Sequence, residues 1–265
     1  MCDEQTDADN ARAFGKVSRR DFTGMTGAAA LAALLPAPAN ARTLKHRDIT
    51  IKTPDGVVQA YFVAPDKGKH PAVLVWPDIM GLRPAFRKMA ERLAQSGYAV
   101  LTVNQFYRSA PLPILKEGEA FSQPEVRAKL MEWRKLLTPD AVMRDAAAFT
   151  AFLDKQPEVN TGRGIGTTGY CMGGPMVMQT AAGLPGRIRA GASFHGGGLA
   201  TDKPDSPHLL VPKMKASFLF AVAENDDQRN PNEKELVRKA FADAGLPAEI
   251  EVYAGAMHGW CPPDS

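Results

Sequence analysis

From position 45 onward the chain alternates short apolar runs with stretches whose apolar residues recur at helical spacing. Segments 46–52 and 57–63 alternate polar and apolar side chains around Pro54-Asp55-Gly56, which predicts an antiparallel hairpin. Six later runs, 72–76, 98–103, 165–170, 190–194, 218–223 and 250–253, are almost wholly apolar. Runs that short and that apolar suit strands buried on both faces of a parallel sheet. Helical spacing fills the intervals at 85–95, 140–155, 175–182 and 232–244, with Gly97 and Gly245 as stops after the first and last. The pattern predicts an α/β protein: a doubly wound, mostly parallel sheet preceded by an antiparallel hairpin.

Segment 109–139 breaks this rhythm. It carries prolines, lysines, glutamates and Trp133 without a strand pattern, and it follows Tyr107 and Arg108 beyond the C-terminal end of a strand. Ligands bind at such strand ends in open α/β sheets, so the segment reads either as a lid or pocket wall, or as a solvated connecting helix.

The first 41 residues have another character. Arg19-Arg20, an apolar stretch at 25–35 and a small-residue ending at Ala39-Asn40-Ala41 occur in the order of a twin-arginine signal peptide. The expected mature domain is 42–265, with the twin-arginine export machinery as the precursor's partner and the periplasm or exterior as its destination. The alternative is a flexible tail with a chance arginine pair.

The chain has 265 residues, 45% of them hydrophobic and 23% charged, with a net charge of +3. This suits one globular domain. No basic stripe with interleaved aromatics suggests nucleic acid, and no apolar stretch reaches the ~18 residues of a membrane span. Cys171 and Cys261 are the only cysteines beyond the leader, too few for a disulfide scaffold. No His-x-x-x-His or Cys-x-x-Cys spacing calls for a metal, and no cofactor is expected.

Candidate chemistry centres on Gly169-Tyr170-Cys171-Met172-Gly173-Gly174, where a predicted strand gives way to a helix. Gly-x-Cys-x-Gly is the nucleophile-elbow pattern of the α/β-hydrolase fold with sulfur in place of oxygen. The bland alternative is a buried free cysteine beside a glycine-rich packing turn. An activated cysteine needs a base, and the base an orienting acid. In the order of that fold, Asp226 or its neighbour Asp227 follows the strand at 218–223, and His258 follows the strand at 250–253. Asp226, in the turn that follows its strand, is the preferred acid. His195 also ends a strand but precedes the acid, so it is assigned to the pocket lining.

With these motifs in hand, the chain resembles the dienelactone hydrolase family from about residue 48 to 263. The likeness rests on Trp76-Pro77-Asp78-Ile79-Met80-Gly81-Leu82, the Cys171 elbow, Asn225-Asp226-Asp227 and Met257-His258-Gly259-Trp260. It implies an α/β-hydrolase fold, a Cys171–Asp226–His258 triad, an oxyanion hole from the backbone N–H groups of Ile79 and Met172, and an ester or lactone substrate. Asp78 stands where the family often carries a glutamate. Asp78, Tyr107, Arg108, His195 and Trp260 are the candidate pocket or supporting residues. The resemblance also implies a final helix after His258 that the seven following residues cannot supply, hence a truncated chain or a homodimer through the bare face. Two competing readings are a domain that binds a small ligand without turnover and a thiol redox protein using Cys171 and Cys261.

Overall fold

Asp55-Gly56 turns the chain back on itself: Gly56 takes φ 144°, while Thr53 Oγ1 accepts the Asp55 N–H and donates to the Gly56 carbonyl. The hairpin so formed pairs β1 (Leu44–Thr53) with β2 (Gly56–Pro65) over their whole lengths. A computed structural model describes residues 41–264; the twin-arginine segment lies almost wholly outside these residues.

Beyond the hairpin run β3 (Ala72–Trp76), β4 (Ala99–Val103), β5 (Ile165–Tyr170), β6 (Ile188–Phe194), β7 (Ser217–Ala223) and β8 (Ala248–Tyr253). They form one eight-stranded sheet in the order β1-β2-β4-β3-β5-β6-β7-β8. β1 and β2 are antiparallel, β2 meets β4 antiparallel, and β3 to β8 are mutually parallel. The expected doubly wound sheet with its N-terminal hairpin is therefore present. Parallel order aligns the C-terminal ends of β3, β5, β6, β7 and β8, and every candidate catalytic group lies just past one of them.

Among the described residues six α-helices accompany the strands: α1 (Pro84–Gln95), α2 (Pro124–Arg134), α3 (Pro139–Leu153), α4 (Gly173–Gly183), α5 (Glu224–Arg229) and α6 (Pro231–Asp243). Proline opens α1, α2, α3 and α6, where its missing N–H costs no hydrogen bond. In α3, Val142, Ala146, Phe149 and Leu153 recur at spacings of three and four and are fully buried against the sheet. Thr138 caps that helix by accepting the Ala141 N–H. Trp76, also fully buried, packs on Phe149 and donates its indole N–H to Thr180 Oγ1 of α4 at 3.1 Å.

The irregular segment folds onto this core rather than into solvent. Its helix α2 buries Val126 and Leu130, and Ile114 joins the apolar cluster that contains Ile79, Cys171 and Met172. The pattern missed α2 because prolines and charges surround only two buried positions. After β8 the described residues form turns as far as Asp264. Among the described residues no helix is long and apolar enough to cross a membrane.

Candidate active site

Cys171 follows β5 with φ 53°, a left-handed conformation that a residue with a Cβ adopts only at a cost of about 1–3 kcal/mol. The surroundings enforce it. A Cβ at Gly169 would overlap the Gly173 carbonyl, and one at Gly173 would overlap the Trp76 carbonyl at the end of β3. Glycine at both places lets the turn close tightly against β3, and the elbow passes directly into α4. Cys171 is 4% exposed, and its N–H reaches both the Phe194 carbonyl and His195 Nδ1 at 3.1 Å.

Opposite the elbow, the loop after β3 is pinned at several points. Asp78 O accepts the Gln105 side-chain amide at 2.8 Å and the Gly81 N–H at 3.0 Å, while Asp78 Oδ1 accepts the Met80 N–H at 2.9 Å. Arg83 holds the Asp78 carboxylate in a two-pronged ion pair at 2.7 and 3.0 Å and also pairs with Asp264. Burial raises the Asp78 pKa; Arg83 offsets part of that rise. Between these anchored atoms lies the N–H of Ile79, and across from it that of Met172, immediately before α4. Among the described residues neither N–H has an acceptor, so both are available to an incoming oxygen.

His258 sits beyond β8, 5% exposed, and its Nδ1 donates to Asp226 Oδ2 at 2.6 Å. Its side chain is also hydrogen-bonded to Cys171. Burial alone would lower the pKa of this imidazole, but Cys171 and Asp226 outweigh burial and raise it to about 9. Cys171, His258 and Asp226 thus form a contiguous chain. Asp227 instead pairs with Lys234 Nζ at 2.6 Å. The acid-bearing segment is the short helix α5, not an open turn, and it is laced to the histidine loop. The Glu224 N–H donates to Ala256 O at 2.9 Å, Glu224 Oε2 accepts the Gly255 N–H, and Asn225 Oδ1 accepts the His258 N–H at 2.8 Å.

His195 is buried beside the elbow, in edge-on contact with His258 and Trp260 at ring separations of 5.1 and 5.0 Å. Trp260 stacks on Tyr253. Tyr107 and Arg108 have engagements of another kind. The Tyr107 hydroxyl bonds Thr53 and Asp145, and Arg108 pairs with Asp55 and Asp145, all at the hairpin end of the sheet. Cys261, like Cys171, forms no disulfide, and it packs with Leu82, Phe86 and Tyr170 in a separate apolar cluster.

Gln105, Arg83 and Asn225 are the supporting residues that sequence reasoning passed over. Each acts on a loop backbone or a buried carboxylate, contacts that leave no spacing signature; only the position of Gln105 just past β4 hinted at such a role.

An elbow on a mostly parallel sheet, with an acid and a histidine following on later strands, defines a hydrolase of the α/β-hydrolase class. A profile of the dienelactone hydrolase family matches residues 58–265, and the chain belongs to that family. A carboxymethylenebutenolidase homolog of Mus musculus is 29% identical over 198 residues, covering 74% of this chain and 71% of the mouse protein. The structure of a dienelactone hydrolase-like promiscuous phosphotriesterase from metagenomic libraries superposes with a TM-score of 0.65 at 20% identity, covering 82% of this chain and 84% of that one. The dienelactone hydrolase of Anabaena variabilis gives a TM-score of 0.57 at 21% identity, covering 81% and 88%.

Proposed function

We propose that this protein hydrolyses a carboxylic ester or lactone through a thioester on Cys171. The observation that carries the reading is the continuous chain from Asp226 through His258 to Cys171, ending on a cysteine held in the left-handed elbow conformation. In the resting site Cys171 is a thiolate and His258 an imidazolium, a pairing that the raised pKa of His258 supports. The thiolate sulfur bonds to the carbonyl carbon, and the carbonyl π pair moves onto oxygen, where the Ile79 and Met172 N–H groups receive it. Collapse expels the alkoxide, which takes the proton from His258. Neutral His258 then removes a proton from water, the hydroxide attacks the thioester, and the thiolate leaves as the acid is released.

Arg83 and Arg108 are each engaged by two carboxylates, so neither guanidinium is free to hold a substrate anion. The substrate class we infer is therefore an uncharged ester or lactone. A panel of neutral and carboxylate-bearing esters and lactones, assayed before and after iodoacetamide treatment, tests both points. Neutral substrates should turn over, alkylation should abolish it, and acyl-Cys171 should be trapped by rapid acid quench and mass spectrometry. Thiol reactivity without turnover would leave the redox or ligand-binding readings standing; the placement of Cys261 in a separate apolar cluster disfavours the redox one.

We also propose twin-arginine export, supported by Arg19-Arg20 and the apolar and small-residue stretches that follow. Arg19→Lys with Arg20→Lys should retain precursor in the cytoplasm; mature protein outside it in that strain would refute the route.

A further inference from the structure

His195 is a buried titratable group that the proposed chemistry does not use. It ends β6 as Cys171 ends β5, and both residues are left-handed, with φ 41° and 53°. Nothing in its own chain position demands a histidine there, yet its ring is 1% exposed and placed with some precision. Nδ1 accepts the Cys171 N–H at 3.1 Å. A backbone N–H can only donate, so Nδ1 must be the unprotonated nitrogen and Nε2 must carry the hydrogen. Nε2 is buried and, among the described residues, has no hydrogen-bond partner.

A clamp of this kind adds a side-chain anchor to the one the backbone already gives the elbow. The left-handed turn aims the Cys171 amide away from the oxyanion side and into the protein, where an unpaired N–H is costly. The Phe194 carbonyl and His195 Nδ1 share it. The groups facing the ring are Cys171 on the elbow, Tyr170 on β5, His258 and Trp260 after β8, and Asp226 on α5. Burial first, and the nearby His258 second, lower the pKa of His195 to about 4, which keeps Nδ1 an acceptor at neutral pH. A cationic ring would lose that acceptor and set a second positive charge beside the imidazolium.

We propose that His195 is a positioning residue for the nucleophile: as the neutral Nε2–H tautomer it clamps the Cys171 amide through Nδ1, holding the thiol against His258. The inference rests on Cys171 being the nucleophile. Its test compares His195→Asn, His195→Gln and His195→Leu. Asparagine carries its amide oxygen where Nδ1 stands and tolerates the left-handed backbone. Glutamine carries its amide one atom too far, and leucine has no acceptor.

The readouts are kcat and KM on a neutral ester, together with the iodoacetamide rate at Cys171 across pH. The Asn variant should stay within about threefold of wild type in both rates. The Leu and Gln variants should lose roughly tenfold in kcat at unchanged KM, with slower alkylation and a pH profile displaced upward, the size of effect expected from one lost hydrogen bond. Wild-type kcat and alkylation in the Leu variant would overturn the clamp, as would an Asn variant no better than Gln. Should the Leu variant not fold, the Asn and Gln pair still decides. Full turnover by Cys171→Ala would sink the nucleophile assignment instead, while the alkylation comparison would go on reporting the clamp.

Discussion

Asp226 Oδ2 accepts the Nδ1 hydrogen of His258 at 2.6 Å, whereas the adjacent carboxylate of Asp227 is committed to Lys234. The two acids differ by one position and point into different surroundings. Asp226→Asn should lower kcat by roughly 10³-fold, because an amide cannot hold the imidazole in the required tautomer or balance its charge. Asp227→Asn should stay within about threefold of wild type. Equal losses in the two variants, measured on one ester at constant pH, would remove Asp226 from its assigned role.

The two thiols should differ sharply in reactivity. Burial pushes the Cys261 thiol up to about 12, while Cys171 lies beside a histidine that holds its proton to about pH 9. Alkylation at pH 6 should therefore modify Cys171 and leave Cys261 intact, as read by peptide mass spectrometry. Cys171→Ala should abolish turnover, and Cys171→Ser should leave a small residue of it. Preferential labelling of Cys261 would contradict the ion-pair resting state.

Stability should carry opposite pH signatures of the two buried histidines. His258 is raised from 6.5 to about 9, so its contribution is complete below pH 6.5 and is lost as pH rises through 9. His195 is lowered to about 4, so its contribution is present above pH 6.5 and disappears as pH falls toward 4. Each limb amounts to about 3 kcal/mol at most. Urea unfolding of wild type against His258→Asn should show a difference that shrinks from pH 6.5 to 9. Against His195→Asn the difference should shrink from pH 6.5 to 4.5. A pH-independent difference in either pair would refute the corresponding shift.

The parts legible in the sequence were those that repeat or punctuate. The hydrophobic pattern gave all eight strands within two residues of their observed ends, and β3 and β5 without error, because both are buried along nearly their whole length. Cys171, Asp226 and His258 were legible through their order along the chain. The hold of Asn225 on the His258 backbone and that of Arg83 on Asp78 were not, since each joins residues whose types are common and whose spacing is set only by the folded sheet. Tyr107 and Arg108, whose position past β4 suggested a pocket, line a cavity with Val57 and Gln59, and their ties to Asp145, buried on α3, are a contact that no spacing signals.

Glycine substitutions should separate the elbow from ordinary turns. At Gly173 a Cβ would overlap the backbone of β3, which cannot give way, so Gly173→Ala should fail to accumulate folded protein. At Gly186 nothing lies within 4 Å of the added carbon, and Gly186→Ala should be neutral or slightly stabilising. Soluble yield and thermal midpoint measure both. A folded, active Gly173→Ala protein would mean the elbow is looser than described.

Arg83 should matter to rate as well as to stability. Arg83→Met would leave the buried Asp78 carboxylate without its countercharge and loosen the loop that carries the Ile79 N–H. The expected loss is roughly 10²-fold in kcat, the scale of one oxyanion donor. Arg83→Lys should recover little, because a point charge cannot make the two-pronged contact. Wild-type kcat in both variants would show that the loop holds its shape without Arg83.

Gly81, at φ 73°, lies so close to Ile114 that an added Cβ would stand 2.7 Å from the Ile114 side chain. The irregular segment is thus seated directly on the strand-end loop bearing Asp78 and Ile79. Repacking that segment should therefore also move the loop, and a change selected in one is expected to draw its compensating change in the other.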